Sequence, residues 1–133
     1  MGAFDTRGEM TEAFEALMTE RHEVVRTYQR YQFGKNPLKS YLLEADYLSS
    51  VGLEQQVTDA FSVRKTEVAT TDDHGLFRVV AEDNMLFMVD CFDSRFWVVH
   101  TTESAREADD VVGAVAQNSH VHEWTTREVA DSV

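Results

Sequence analysis

Between Thr11 and Phe33 the apolar residues Phe14, Leu17, Met18, Val25 and Tyr28 recur at helical spacing, and Gly34 and Pro37 follow as stop signals. The pattern predicts a long amphipathic helix. Glu12, Glu15, Glu20 and Glu23 lie mostly in its first half and Arg21, Arg26 and Arg30 later, an order that complements the helix dipole. Asn36-Pro37 reads as a cap followed by proline at the first helical position. It predicts a second helix carrying Leu38, Tyr41, Leu42, Ala45 and Leu48 and ending at Gly52. Leu53, Val57 and Phe61, spaced by four, predict a short third helix.

From Ser62 the period changes from 3.6 to 2, and β-branched and aromatic residues dominate four runs, at about residues 63–71, 75–82, 85–92 and 95–102. Asp72-Asp73-His74-Gly75, Asp83-Asn84 and Asp93-Ser94 separate them and read as tight hairpin turns. Two-residue loops would pair Glu82 with Met85 and Phe92 with Arg95. One face then collects Val80, Phe87, Val89, Cys91, Phe96 and Val98, and the other Phe77, Val79, Ala81, Leu86, Met88, Trp97 and Val99. Both faces are apolar, so both need cover from helices or a partner.

Ser104-Ala105-Arg106-Glu107 has the capping-box spacing, and Ala108, Val111, Val112 and Val115 continue a helix to Gln117. His120 to Thr126 reads as a final strand, so the preceding strand, this helix and the last strand predict a right-handed βαβ crossover. The expected fold class is α+β: two or three N-terminal helices, an antiparallel meander of about four strands, a crossover helix and a final strand. Residues 1–133 are read as a single domain, with a helical part over about 10–61, the sheet and crossover helix over about 62–126, and a tail over 127–133.

With 43% hydrophobic residues, one proline and six glycines, the chain has the composition of a folded domain. The apolar run Met85-Leu86-Phe87-Met88-Val89 is far shorter than the ~20 residues of a membrane span. Acids at Asp5, Glu9, Glu12 and Glu15 argue against a signal peptide, and a cytoplasmic, membrane-free protein is expected. The lone Cys91 excludes an intramolecular disulfide framework and a paired-cysteine zinc site.

Charge alters the picture most. Twenty-four acidic side chains face 12 basic ones, a formal charge of -12. The basic set holds only three lysines, Lys35, Lys39 and Lys65. At molar salt the Debye length falls to about 3 Å, so the self-repulsion of an acidic surface is screened and its carboxylates keep the protein soluble. A salt-adapted, halophilic source is the expectation. Against that background, residues 21–39 carry Arg21, Arg26, Arg30, Lys35 and Lys39 against Glu23 alone, interleaved with Tyr28, Tyr31, Phe33 and Tyr41. Cations among aromatics suit phosphate and base stacking, or an anchor-rich protein contact. The same cations also suit a helix C-terminus docked on the protein's own acids. Arg26, Arg30, Tyr31, Lys35 and Lys39 are the candidate binding residues.

Signals for chemistry are sparse. His120 and His122 share a strand face, and His100 ends the strand expected to run parallel to it, so three imidazoles would converge as a small metal-dependent enzyme requires. No carboxylate partner can be placed beside them. Phe96-Trp97-Val98-Val99 followed by His100-Thr101-Thr102 resembles half of the signature of the two-histidine phosphoesterases. The second half fails at the third position of His120-Val121-His122, so no activity is carried over. The hairpin register places Cys91 and His100 roughly 13 Å apart, which excludes a nucleophilic dyad and leaves Cys91 as a small buried hydrophobe. Glu54 and Asp59, with no cation on the third helix, oppose a winged-helix reading. No cofactor or metal site is expected.

The sequence therefore predicts a non-catalytic protein–protein interaction or assembly module, with a protein partner or self-association. Nucleic-acid binding through the segment 21–41 is the alternative, and a His-metal enzyme the lesser one.

Overall fold

A computed structural model of the chain describes residues 5–18, 38–46, 51–62, 65–93, 95–117 and 121–123. They form three α-helices and one six-stranded antiparallel sheet, confirming the α+β class. The helices are α1 (Arg7–Met18), α2 (Leu53–Phe61) and α3 (Ala105–Ala116). The strands are β1 (Lys39–Ala45), β2 (Glu67–Thr70), β3 (Leu76–Ala81), β4 (Met85–Asp90), β5 (Phe96–Thr101) and β6 (Val121–Glu123). Their order across the sheet is β2-β3-β4-β5-β1-β6.

The predicted second helix is overturned: residues 39–45 form β1. Leu38, Tyr41, Leu42 and Ala45 fit a helical stripe, but Tyr41, Leu43 and Ala45 equally fit a strand with one buried face. A segment this short is a marginal helix on its own. As a strand it finds a ladder partner on each side, β5 and β6, and buries Leu43 and Ala45. Tertiary pairing decides between the two periods. The short third helix and the helix starting at Ser104 stand as expected. The second half of the long first helix and the tail 127–133 lie outside the described residues.

The meander is present, with its registers shifted by one residue at two turns. Ala81 pairs with Met85 and Val79 with Phe87, because the loop is a three-residue turn, Glu82–Asn84, rather than two residues. Asn84 closes it at φ 61°, the left-handed conformation that asparagine tolerates better than most residues. After β4 the register shifts again, since Asp90 pairs with Val98 and Met88 with His100. The two shifts cancel between β3 and β5. Only β4 exchanges faces: Phe87, Val89 and Cys91 join Phe77, Val79, Trp97 and Val99, while Leu86 and Met88 turn to the opposite side.

Both faces are covered, as the apolar pattern requires. On one, α2 contributes Val57, Ala60 and Phe61, and α3 Ala108, Val111, Val112 and Val115, against Leu43, Phe77, Phe87, Trp97 and Val99. On the other, α1 packs Met10, Ala13 and Phe14 over Leu76, Leu86 and Met88. The run Met85–Val89 is buried throughout, as a central strand between two layers must be. The strand, helix and strand of the expected crossover are present, with β5 and β6 running in the same direction, but β1 lies between them, antiparallel to both.

Candidate functional site

Of the candidate binding residues, Arg26, Arg30, Tyr31 and Lys35 lie outside the described residues. Lys39 opens β1, and its Nζ donates to the main-chain oxygen of Glu103 at 2.8 Å. Two residues on, Tyr41 Oη donates to Asp109 Oδ1 at 2.7 Å. The described end of the cationic-aromatic segment thus engages the protein's own α3 region.

His100 and His122 are not brought together. His100 pairs with Ser40 and His122 with Glu44, four residues further along β1 and on its other side. At about 3.4 Å per residue and 4.8 Å per strand, their Cα atoms are roughly 17 Å apart. His120 lies outside the described residues. His100 is half-buried, its Nδ1 2.7 Å from Ser40 Oγ and its ring centroid 4.9 Å from that of Phe14. Burial pushes its pKa down, and Asp90 partly opposes that shift. Among the described residues no group of three or more His, Cys, Asp or Glu side chains could hold a metal ion.

Cys91 is a buried free thiol. It faces the α2 and α3 side of the sheet while His100 faces α1, so the two form no dyad. Burial pushes the thiol pKa far up, and Asp90 adds to the shift. A thiol held in this form is a poor nucleophile.

The densest polar construction lies where the β2–β3 and β4–β5 turns meet the start of α1. The Arg7 main-chain N–H donates to Asp73 Oδ2 at 2.6 Å, its Nε to Asp90 Oδ1 at 3.0 Å, and its Nη2 to the His74 carbonyl at 2.8 Å. Arg78 pairs with Asp5 at 2.9 Å, and the Asp72 N–H donates to the Asp5 carbonyl at 2.7 Å. Charge-assisted bonds of this kind position α1 over the sheet. Gly75 adopts φ +80°, with space for no Cβ: one placed there would stand 2.8 Å from the Cys91 carbonyl oxygen. The two turns therefore touch through their backbones.

Immediately after Cys91, Phe92 is 61% exposed, the exposed large hydrophobic residue among the described residues. Beside this end of the sheet a shallow cavity of about 300 Å³ runs from Gly52, Leu53 and Glu54 at the start of α2 to His74, Leu76 and Phe77. Asp93, also exposed, accepts from the Arg95 N–H at 2.8 Å and shapes the turn. Arg95 in turn holds Glu44 at 2.6 Å and lies over the Phe96 ring.

A family model described as MJECL33-like protein matches residues 2–128. The chain belongs to the MJECL33-like family. No curated protein and no solved structure matches it.

In this MJECL33-like chain Arg7, Asp73, Asp90 and the Arg78–Asp5 pair join elements at the turn end, and the large hydrophobic residue exposed there is Phe92. The alternating pattern predicts Phe92 at a strand end, paired with Arg95. The signal that could have found it is the Asp93 side chain, which accepts from the Arg95 N–H, while the β4–β5 ladder pairs Asp90 with Val98 and does not include Phe92.

Proposed function

We propose that this chain is a non-catalytic protein-interaction or assembly module of a salt-adapted cytoplasm. The exposure of Phe92 carries the reading. Full burial of a phenylalanine is worth about 1.5–3 kcal/mol, and aromatic side chains that enter a partner's pocket dominate many interfaces. Phe92 has backbone support on both sides, from the turn over Gly75 and from the Asp93–Arg95 bond, so it is presented without ordering a loop. Salt adaptation is supported by the exposed charges. Among the described residues the exposed cations are Lys65, Arg95 and Arg106, whereas exposed carboxylates run from Glu12 and Glu15 on α1 to Glu107, Asp109 and Asp110 on α3.

Light scattering behind size exclusion, at molar and low salt with absorbance at 260 and 280 nm on the same peak, tests it. The expected result is an assembly with a protein spectrum, weakened by Phe92→Ser without loss of folding. A monomer at every salt and concentration would remove the reading. A monomer that carries nucleic acid at low salt, and loses it on charge reversal of Arg30 and Lys35, would replace it with nucleic-acid binding through the segment 21–41.

A further inference from the structure

We infer that β2 pairs edge to edge with β2 of a second copy of this chain, joining two six-stranded sheets into one. The inference rests on the assembly reading, names its partner as a second copy, and adds to Phe92 a separate contact surface, the β2 edge.

The main-chain geometry of β2 comes first. Among the described residues β2 has one ladder neighbour, β3. In the β3–β4 ladder the Cys91 N–H donates to the Gly75 carbonyl at 2.7 Å. Antiparallel pairs alternate, so Phe77, Val79 and Ala81 point their main-chain groups at β4, and Leu76, Arg78 and Val80 point theirs at β2. Their partners Ala69 and Glu67 answer across the β2–β3 ladder. The N–H and carbonyl groups of Val68 and Thr70 therefore point away from the sheet, along its open edge.

The sequence of that edge suits pairing. Sheets protect a free edge with a central lysine, a proline or a bulge. β2 and its flanks read Thr66-Glu67-Val68-Ala69-Thr70-Thr71, rich in β-branched residues, with no proline and no charge at the central Val68-Ala69. Lys65, exposed, stands just before the strand and Asp72, exposed, just after it.

Those flanking charges set the register. A two-fold axis normal to the sheet at Ala69 places Val68 opposite Thr70 of the second copy, which matches outward groups with outward groups. It also sets Glu67 opposite Thr71 and brings Lys65 towards the Asp72-Asp73 turn of the other copy. An isologous contact of this type closes at two copies, because each β2 has only one open edge. Each copy carries -12, so salt strengthens the pairing by screening repulsion between the two surfaces.

The test uses the full chain. Val68→Pro deletes an outward N–H and no bond to β3, and proline is tolerated on edge strands in that setting. The expected result is a dimer in molar salt for the native chain and half that mass for V68P, with unchanged far-UV circular dichroism. Ala69→Cys supplies an independent measurement. Across the proposed axis the two Cα atoms of a non-hydrogen-bonded pair stand about 4.5 Å apart, within reach of a disulfide, so mild oxidation links two chains. The native Cys91 is buried and does not compete. A dimer that survives V68P, or a dimeric A69C that does not cross-link, overturns the edge pairing and leaves the assembly reading standing. A native chain that is monomeric in all conditions overturns both.

Discussion

At Gly75 the chain takes φ +80° in contact with the Cys91 carbonyl, two constraints that a side chain cannot meet together. Gly75→Ala is expected to cost about 1–3 kcal/mol, measured as a lower urea midpoint, because the left-handed backbone is strained for alanine and the methyl group has no room. His100 gives a pH signature of defined sign. Its pKa is below 6.5 in the folded protein, so the unfolded chain takes up the proton first as pH falls. This contribution to stability is full above about pH 6.5 and is lost as pH drops through and below that value. Melting temperatures of the native chain and His100→Asn, compared across this range, should show the smaller acid-side loss in the variant. Several such residues were not legible in sequence. Arg7 is an unremarkable cation until Asp73, Asp90 and the His74 carbonyl, more than sixty positions away, converge on it.

Among the elements, α3 was the most legible, since its start is written in local chemistry: the Glu107 N–H donates to Ser104 Oγ at 3.2 Å, and its apolar period keeps one phase. Ser104→Ala should cost about 1 kcal/mol, seen as a lowered denaturation midpoint, with Ser104→Asp retaining most of the cap. β1 was illegible for the complementary reason. Lys39, Leu42, Leu43, Glu44 and Ala45 favour helix locally, and only the slot between β5 and β6 makes them a strand. β4 shows a third case. Its existence follows from a continuous apolar run, but that run has no polar face to fix its phase, so the added residue in the Glu82–Asn84 turn reverses its faces without leaving a trace in the pattern. The basic segment was legible as composition, and its described end, Lys39 and Tyr41, is held by the Glu103 carbonyl and Asp109.

For the whole molecule, carboxylates outnumber cations two to one, and exposed acids are distributed over both helical layers. Raising salt from low to molar concentration should therefore raise the melting temperature, and a flat or falling response would contradict salt adaptation. The position of β1 has another consequence. Lys39 pairs with Thr101, and Leu43 with both Trp97 and Glu123, so an early strand is flanked only by late ones. During synthesis β1 leaves the ribosome with no neighbour to pair with, and the β2–β3–β4–β5 meander can form before β1 is placed. Such a chain should complete its sheet only once β5 and β6 have been made, slowly, and should depend on chaperones more than a protein whose strands pair in the order they are made.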